Sequence, residues 1–152
     1  MIKVAVWGTG MMGQGLLGYI LDRPNDVELV GAIVTNPAKE GKPVGELLGR
    51  TCDVCMTTDA AAVLAKQPDV VCICTQSNLD EIAEQVETVV RAGSNVLCIA
   101  EKLAYPWASD PDWAERFEEL AMEHDVSILG TGINPGFILD ALIVAWTSIC
   151  LR

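Results

Sequence analysis

The chain has 152 residues, 51% of them hydrophobic and 20% charged, which supplies a packed core for about one ordinary domain and excludes a disordered tail. Ten Lys and Arg stand against 21 Asp and Glu, and a formal charge of -11 leaves no basic footprint for a phosphate backbone, so no nucleic-acid partner is expected. No apolar run has the length of a bilayer span, and Met1-Ile2-Lys3-Val4 lacks the parts of a signal peptide, so no membrane partner and a cytoplasmic location are expected.

Short apolar runs alternate with segments of helical period, the pattern of a parallel sheet with helices on both faces. Val4–Trp7 is the first predicted strand, and the helix after it carries Met12, Leu16, Leu17 and Ile20 and ends near Pro24. Strand two is Glu28–Val34, followed by a polar stretch from Thr35 to Pro43 and a helical turn at Gly45–Leu48. Strand three is short, around Val54–Thr57, and Asp59 is placed to cap the helix Ala60–Lys66. Strand four, Val70–Cys74, is apolar throughout and therefore belongs near the sheet centre. Ser77 and Asp80 have the spacing of a capping box, opening a helix with Ile82, Val86, Val89 and Val90 as its inward stripe and Gly93 at its end. Asn95–Ala100 is strand five, Pro111–Glu123 an acidic amphipathic helix, and Val126–Leu129 strand six.

The first strand runs directly into Gly8-Thr9-Gly10-Met11-Met12-Gly13, a G-x-G-x-x-G turn at the opening of a helix. Gly8 permits the tight turn, Gly10 lets a pyrophosphate approach the backbone, Gly13 lets helix and strand pack closely, and the helix N-terminus offers free N–H groups. The fold expected from this context is α/β: a Rossmann-type, doubly wound, mostly parallel sheet that binds a nicotinamide dinucleotide. The acid that usually ends strand two and binds the ribose hydroxyls of NAD is missing. Val34 stands there, with Thr35, Asn36 and Lys39 following and Lys42 beyond. Loss of the carboxylate removes a charge that repels a 2'-phosphate, and either lysine can pair with one, so NADP is favoured slightly over NAD. Solvated loop charges are the alternative for both lysines.

Four stretches carry a family resemblance: residues 4–13, Thr35-Asn36-Pro37-Ala38-Lys39, Glu101-Lys102-Leu103-Ala104-Tyr105-Pro106-Trp107 and Gly130-Thr131-Gly132-Ile133-Asn134-Pro135-Gly136-Phe137-Ile138-Leu139-Asp140. Together they resemble the N-terminal domain of the 2,4-diaminopentanoate dehydrogenases, within the dihydrodipicolinate reductase-like superfamily. The resemblance implies an NAD(P)-dependent oxidative deamination of a small diamino acid, and a homo-oligomer whose second domain carries substrate-binding and dimer surfaces. Dihydrodipicolinate reduction in lysine synthesis is the in-class alternative, and a non-catalytic NAD(P)-binding regulatory module the alternative outside it. Related oxidoreductases often have Glu-Lys-Pro at the end of strand five, whereas Leu103 replaces the proline here.

Amine oxidation requires a deprotonated nitrogen, and Glu101 and Lys102, at the end of strand five, are the candidate catalytic residues for taking that proton; an exposed ion pair is the plain alternative. Thr75 and Ser77 follow strand four with groups that hydrogen-bond a cofactor without adding charge, although Ser77 also suits a helix cap. Asn134, held extended by the proline after it, offers a polar group toward the nicotinamide. Cys52 and Cys55 followed by Cys72 and Cys74 invite a zinc reading, but the second pair lies in an apolar strand and reads as core, so no metal is expected. His124, the single histidine, ends a helix and suits capping. Residues 1–136 are expected to be the dinucleotide-binding domain. Residues 137–152 read as a helix, from Phe137 to Leu151, apolar on more than one face and leading to a substrate and dimerisation domain.

Overall fold

Every predicted strand is present, and every strand pair is parallel. The computed structural model describes residues 1–150, so Leu151 of the expected last helix lies outside the described residues. β1 (Ile2–Trp7), β2 (Val27–Ile33), β3 (Met56–Thr57), β4 (Val70–Ile73), β5 (Asn95–Cys98) and β6 (Ile128–Gly130) make one six-stranded sheet in the order β3-β2-β1-β4-β5-β6. The chain moves outward from β1 to β3, then returns to lay β4 on the other side of β1. That reversal puts the switch in strand order between β1 and β4, where ligands of such sheets bind.

The two faces bury different residues of the same strands, because side chains alternate across a strand. Val4 and Val6 of β1, Leu29 and Ala32 of β2 and Cys72 of β4 pack against Leu17 and Ile20 of α1 (Met11–Leu21) and Val44 of α2 (Val44–Leu48). Ala5, Ile33, Val71 and Ile73 face the other way, toward α3 (Ala60–Leu64), α4 (Leu79–Arg91) and α6 (Pro111–His124). α4 buries Leu79, Ile82, Ala83, Val86, Val89 and Val90, an unbroken helical stripe. Each fully buried large apolar side chain of this kind contributes about 1.5–3 kcal/mol relative to exposure.

Several ends differ from expectation for local reasons. Asp59 does cap α3, its carboxylate accepting from the Ala62 amide at 3.0 Å. The box at Ser77 does not form: Asn78 is the N-cap of α4, and its side-chain amide donates to Glu81 at 3.1 Å. β3 shortens to two residues because Val54 bonds Val44 instead, its carbonyl accepting the Val44 amide at 2.8 Å. The expected single helix from Phe137 begins earlier and is divided. A wide, π-type helical stretch covers Ile133–Ala141, where Asp140 takes the Gly136 amide at 2.6 Å, and α7 follows at Leu142–Thr147. Between β5 and α6 in the chain lies the short α5 (Pro106–Ser109). No helix among the described residues is long and apolar enough to cross a membrane.

Candidate functional site

A cleft of about 460 Å³ opens at the switch point, lined by Gly8, Thr9 and Gly10 after β1, Val34, Thr35, Asn36 and Lys39 after β2, Cys74, Thr75 and Gln76 after β4, and Glu81 and Gln85 of α4. Its floor is shaped by close backbone contact. Gly8 has φ +103°, and a Cβ there would lie 2.7 Å from the Cys74 carbonyl oxygen; a Cβ on Gly13 would lie 1.9 Å from the Gly8 carbonyl oxygen. At Gly10 nothing lies within 4 Å of the place a Cβ would take, so the backbone faces open space. Gly10 is also the N-cap of α1 and provides no side-chain cap, which leaves the first-turn amides available to an anion. These features fit a dinucleotide pyrophosphate.

The β2 side of the cleft is arranged by a loop. After β2, Asn36 accepts the Ala38 amide at 2.9 Å and opens a tight turn, Pro37–Lys39. That turn aims the Lys39 ammonium back at the glycine segment, where it donates to the Thr9 carbonyl at 2.9 Å and to Thr9 Oγ1 at 3.0 Å. Thr9 itself is buried. Beyond the turn, Glu40 accepts the Thr58 amide, and Gly41 and Lys42 bond to Met56 at the β3 end. The Thr58 amide and then the Thr57 and Thr58 hydroxyls hold the Glu40 carboxyl below its usual range. Lys42 is exposed and does not line the cleft. Val34 packs with Val4, Leu29 and Met56, so an acid at that position would be drawn into the core; the exposed Thr35 is the better place for one.

The remaining candidates distribute unevenly. Thr75 lines the cleft and donates to Gln85 Oε1 at 2.7 Å. Met11 and Met12 project outward and Ser77 and Asn134 do not line it, Asn134 being helical within Ile133–Ala141 rather than extended as expected. Glu101 begins a tight turn, Glu101–Ala104, after β5. The Ser77 hydroxyl, and then its own backbone amide, hold the Glu101 carboxyl below the usual carboxylate range, so it stands ionised at the strand ends. Lys102 instead reaches Asp110, before α6, at 3.4 Å. His124 ends α6, with Nε2 buried and unpartnered among the described residues. Burial pushes the Cys72 thiol up to about 11 and the Cys74 thiol to about 12, which makes both poor metal ligands or nucleophiles at neutral pH. Glu81 and Gln85 were not foreseen. The available signal was a polar pair four residues apart beside the inward stripe of the helix that follows the central strand.

The chain is 34% identical to the 2,4-diaminopentanoate dehydrogenase of Acetoanaerobium sticklandii, over 98% of its own length and 43% of that protein's. It is 32% identical to an amine dehydrogenase of Streptomyces virginiae, over 93% of its length and 41% of that protein's. The solved amine dehydrogenase of Mycobacterium smegmatis superposes with a TM-score of 0.81 at 34% identity, covering 86% of this chain and 39% of that one. The chain thus spans about two fifths of the length of these relatives. Residues 2–131 match the oxidoreductase family with an NAD-binding Rossmann fold, and the chain belongs to that family.

Proposed function

We propose that this chain is the cofactor-binding part of an NAD(P)-dependent dehydrogenase that oxidatively deaminates 2,4-diaminopentanoate to 2-amino-4-oxopentanoate. The observation that carries the reading is identity to a 2,4-diaminopentanoate dehydrogenase at 34% along 98% of the chain. In this reading residues 1–136 bind the dinucleotide and residues 137–152 lead to a substrate and dimerisation domain, consistent with relatives more than twice as long. When bound, the cofactor supplies hydride acceptance at nicotinamide C4. The residues of this chain do the rest: the α1 amides and the glycine turn fix the pyrophosphate, and Lys39 leaves Thr9 to meet a 2'-phosphate, which favours NADP. Glu101, ionised beside Ser77, takes the proton of the substrate ammonium at the strand ends, and Lys102, released from Asp110 and in its neutral form, is the alternative proton acceptor. Asn134 is assigned to the nicotinamide end. The likeness to two amine dehydrogenases, at 32% and 34% identity, supports a second reading, oxidation of a simple amine by the same C–N chemistry. Following cofactor reduction by the full-length protein tests both. Turnover of 2,4-diaminopentanoate well above that of simple alkyl amines is expected; the reverse order replaces the first reading with the second.

A further inference from the structure

The cleft is bounded by α4, and the wall that helix supplies is polar in a specific pattern. The glycine turn sets the pyrophosphate and the end of β2 sets the adenosine ribose. In the strand order β4 lies across β1 from β2, so the β4 end and α4 wall the cleft opposite the β2 end and are the wall left for the base. Glu81 and Gln85 line the cleft from α4, four residues apart and so on one face of the helix.

Their hydrogen bonds leave complementary groups free. Gln85 Oε1 accepts the Thr75 hydroxyl at 2.7 Å, so the acceptor end of the amide is occupied and its NH₂ end remains to donate. Glu81 accepts the Asn78 amide at 3.1 Å through one oxygen, and an ionised carboxylate retains further acceptor sites and no donor. The wall thus presents an acceptor beside a donor. Adenine shows the opposite pair on its edge, the 6-amino donor beside a ring-nitrogen acceptor. Replacing the amino group by a carbonyl, as in hypoxanthine, sets an acceptor against the Glu81 carboxylate, whichever edge is presented.

We propose that Glu81 and Gln85 read the adenine edge of the dinucleotide, with Glu81 accepting from the 6-amino group and Gln85 donating to the neighbouring ring nitrogen, so that the site selects its base as well as its phosphates. Thr75 is then a positioning residue, which keeps the Gln85 amide turned donor-outward. A site built around polar partners discriminates against the analogue that leaves them unpaired, and for a cleft open to solvent the expected ratio is about tenfold.

The inference rests on the dinucleotide reading of the cleft, and one titration separates the two. The 152-residue chain, followed by its tryptophan fluorescence, is titrated with NADPH and NADH and with the reduced nicotinamide hypoxanthine dinucleotides, phosphorylated and not, which carry a 6-carbonyl and an N1–H where adenine has its 6-amino group and an unprotonated N1. Both adenine forms should bind about tenfold more tightly than their hypoxanthine counterparts. Glu81→Gln, which offers an amide donor to the 6-carbonyl and replaces an exposed side chain, should shrink that ratio to about twofold or invert it with an unchanged melting temperature. Equal wild-type affinities for the two bases, or a ratio unmoved by Glu81→Gln, overturn the base-reading proposal while leaving the cofactor site intact. Absence of saturable binding by all four ligands overturns the cofactor reading itself, and the proposal with it.

Discussion

The cleft at the β1/β4 switch and the C-terminal stretch from Ile133 onward both draw the eye in the sequence, and the structure treats them oppositely. Around the cleft, polar groups find partners within the chain: Lys39 on Thr9, Thr75 on Gln85, Glu40 on Thr58. Beneath them lie Val6, Ile33 and Ile73, none more than 1% exposed. In the C-terminal stretch Ile133, Phe137, Leu139, Val144 and Trp146 are 58–67% exposed, and Ile149 is 84% exposed. The apolar side chains there match those of the core in kind, yet they contribute almost nothing to it. Position in the topology decides which hydrophobic run becomes core, and the nucleotide-binding part is built without the last stretch.

The largest expected effect therefore falls under the cleft. Ile82→Ala removes a fully buried side chain from α4 and should cost about 2–5 kcal/mol in denaturant unfolding. A loss near zero would mean that α4 is not fixed to the sheet, and the comparison would collapse. Next is the phosphate side of the cleft. Lys39→Ala should weaken NADPH by about tenfold and NADH by less than about twofold, the usual worth of a partly exposed charge-assisted contact. Thr35→Asp should shift preference toward NADH. Equal losses for both cofactors would move Lys39 from the 2'-phosphate to the pyrophosphate.

A smaller effect concerns acid. The folded-state pKa of Glu40 is lowered, by the Thr58 amide first, so its contribution is full above the unfolded carboxylate value and disappears as pH falls through the folded one. Glu101 shifts the same way through Ser77. Lowering pH below the ordinary carboxylate range should therefore loosen the Thr35–Lys42 loop, and NADPH affinity should fall there more steeply in wild type than in Glu40→Gln. Parallel profiles would show that the loop is held by other contacts. Smallest of all is the C-terminal change: Phe137→Ser with Trp146→Ser should alter stability by less than about 0.5 kcal/mol per site, because neither side chain is buried. A loss of more than about 2 kcal/mol would show that this stretch packs on the domain in solution.

How far the sequence disclosed these features follows from what each depends on. The glycine turn was legible because it is local: Gly8 and Gly13 are required by backbone contacts within the same strand-turn-helix. The α4 stripe and the Asp59 cap are likewise set by spacing alone. Lys39 could be named as a phosphate ligand but not placed, since its bond to Thr9 spans 30 residues and needs the loop to fold back. Glu40 was invisible for the same reason, its partner Thr58 lying beyond a two-residue strand with no periodicity to detect. Glu81 and Gln85 read as a solvated helix face until the topology sets that face against the ends of β1 and β2. At Ser77 the box had a competitor one residue on, and Asn78 took the cap.

We propose that the folded 152 residues form the dinucleotide site by themselves. Titrating the chain with NADPH and NADH, and following its four tryptophans, among them Trp7 directly before the glycine turn, tests this most directly. Saturable quenching or energy transfer with both, tighter for NADPH, is the expected result. No saturable response to either cofactor would mean that these residues do not form the site by themselves.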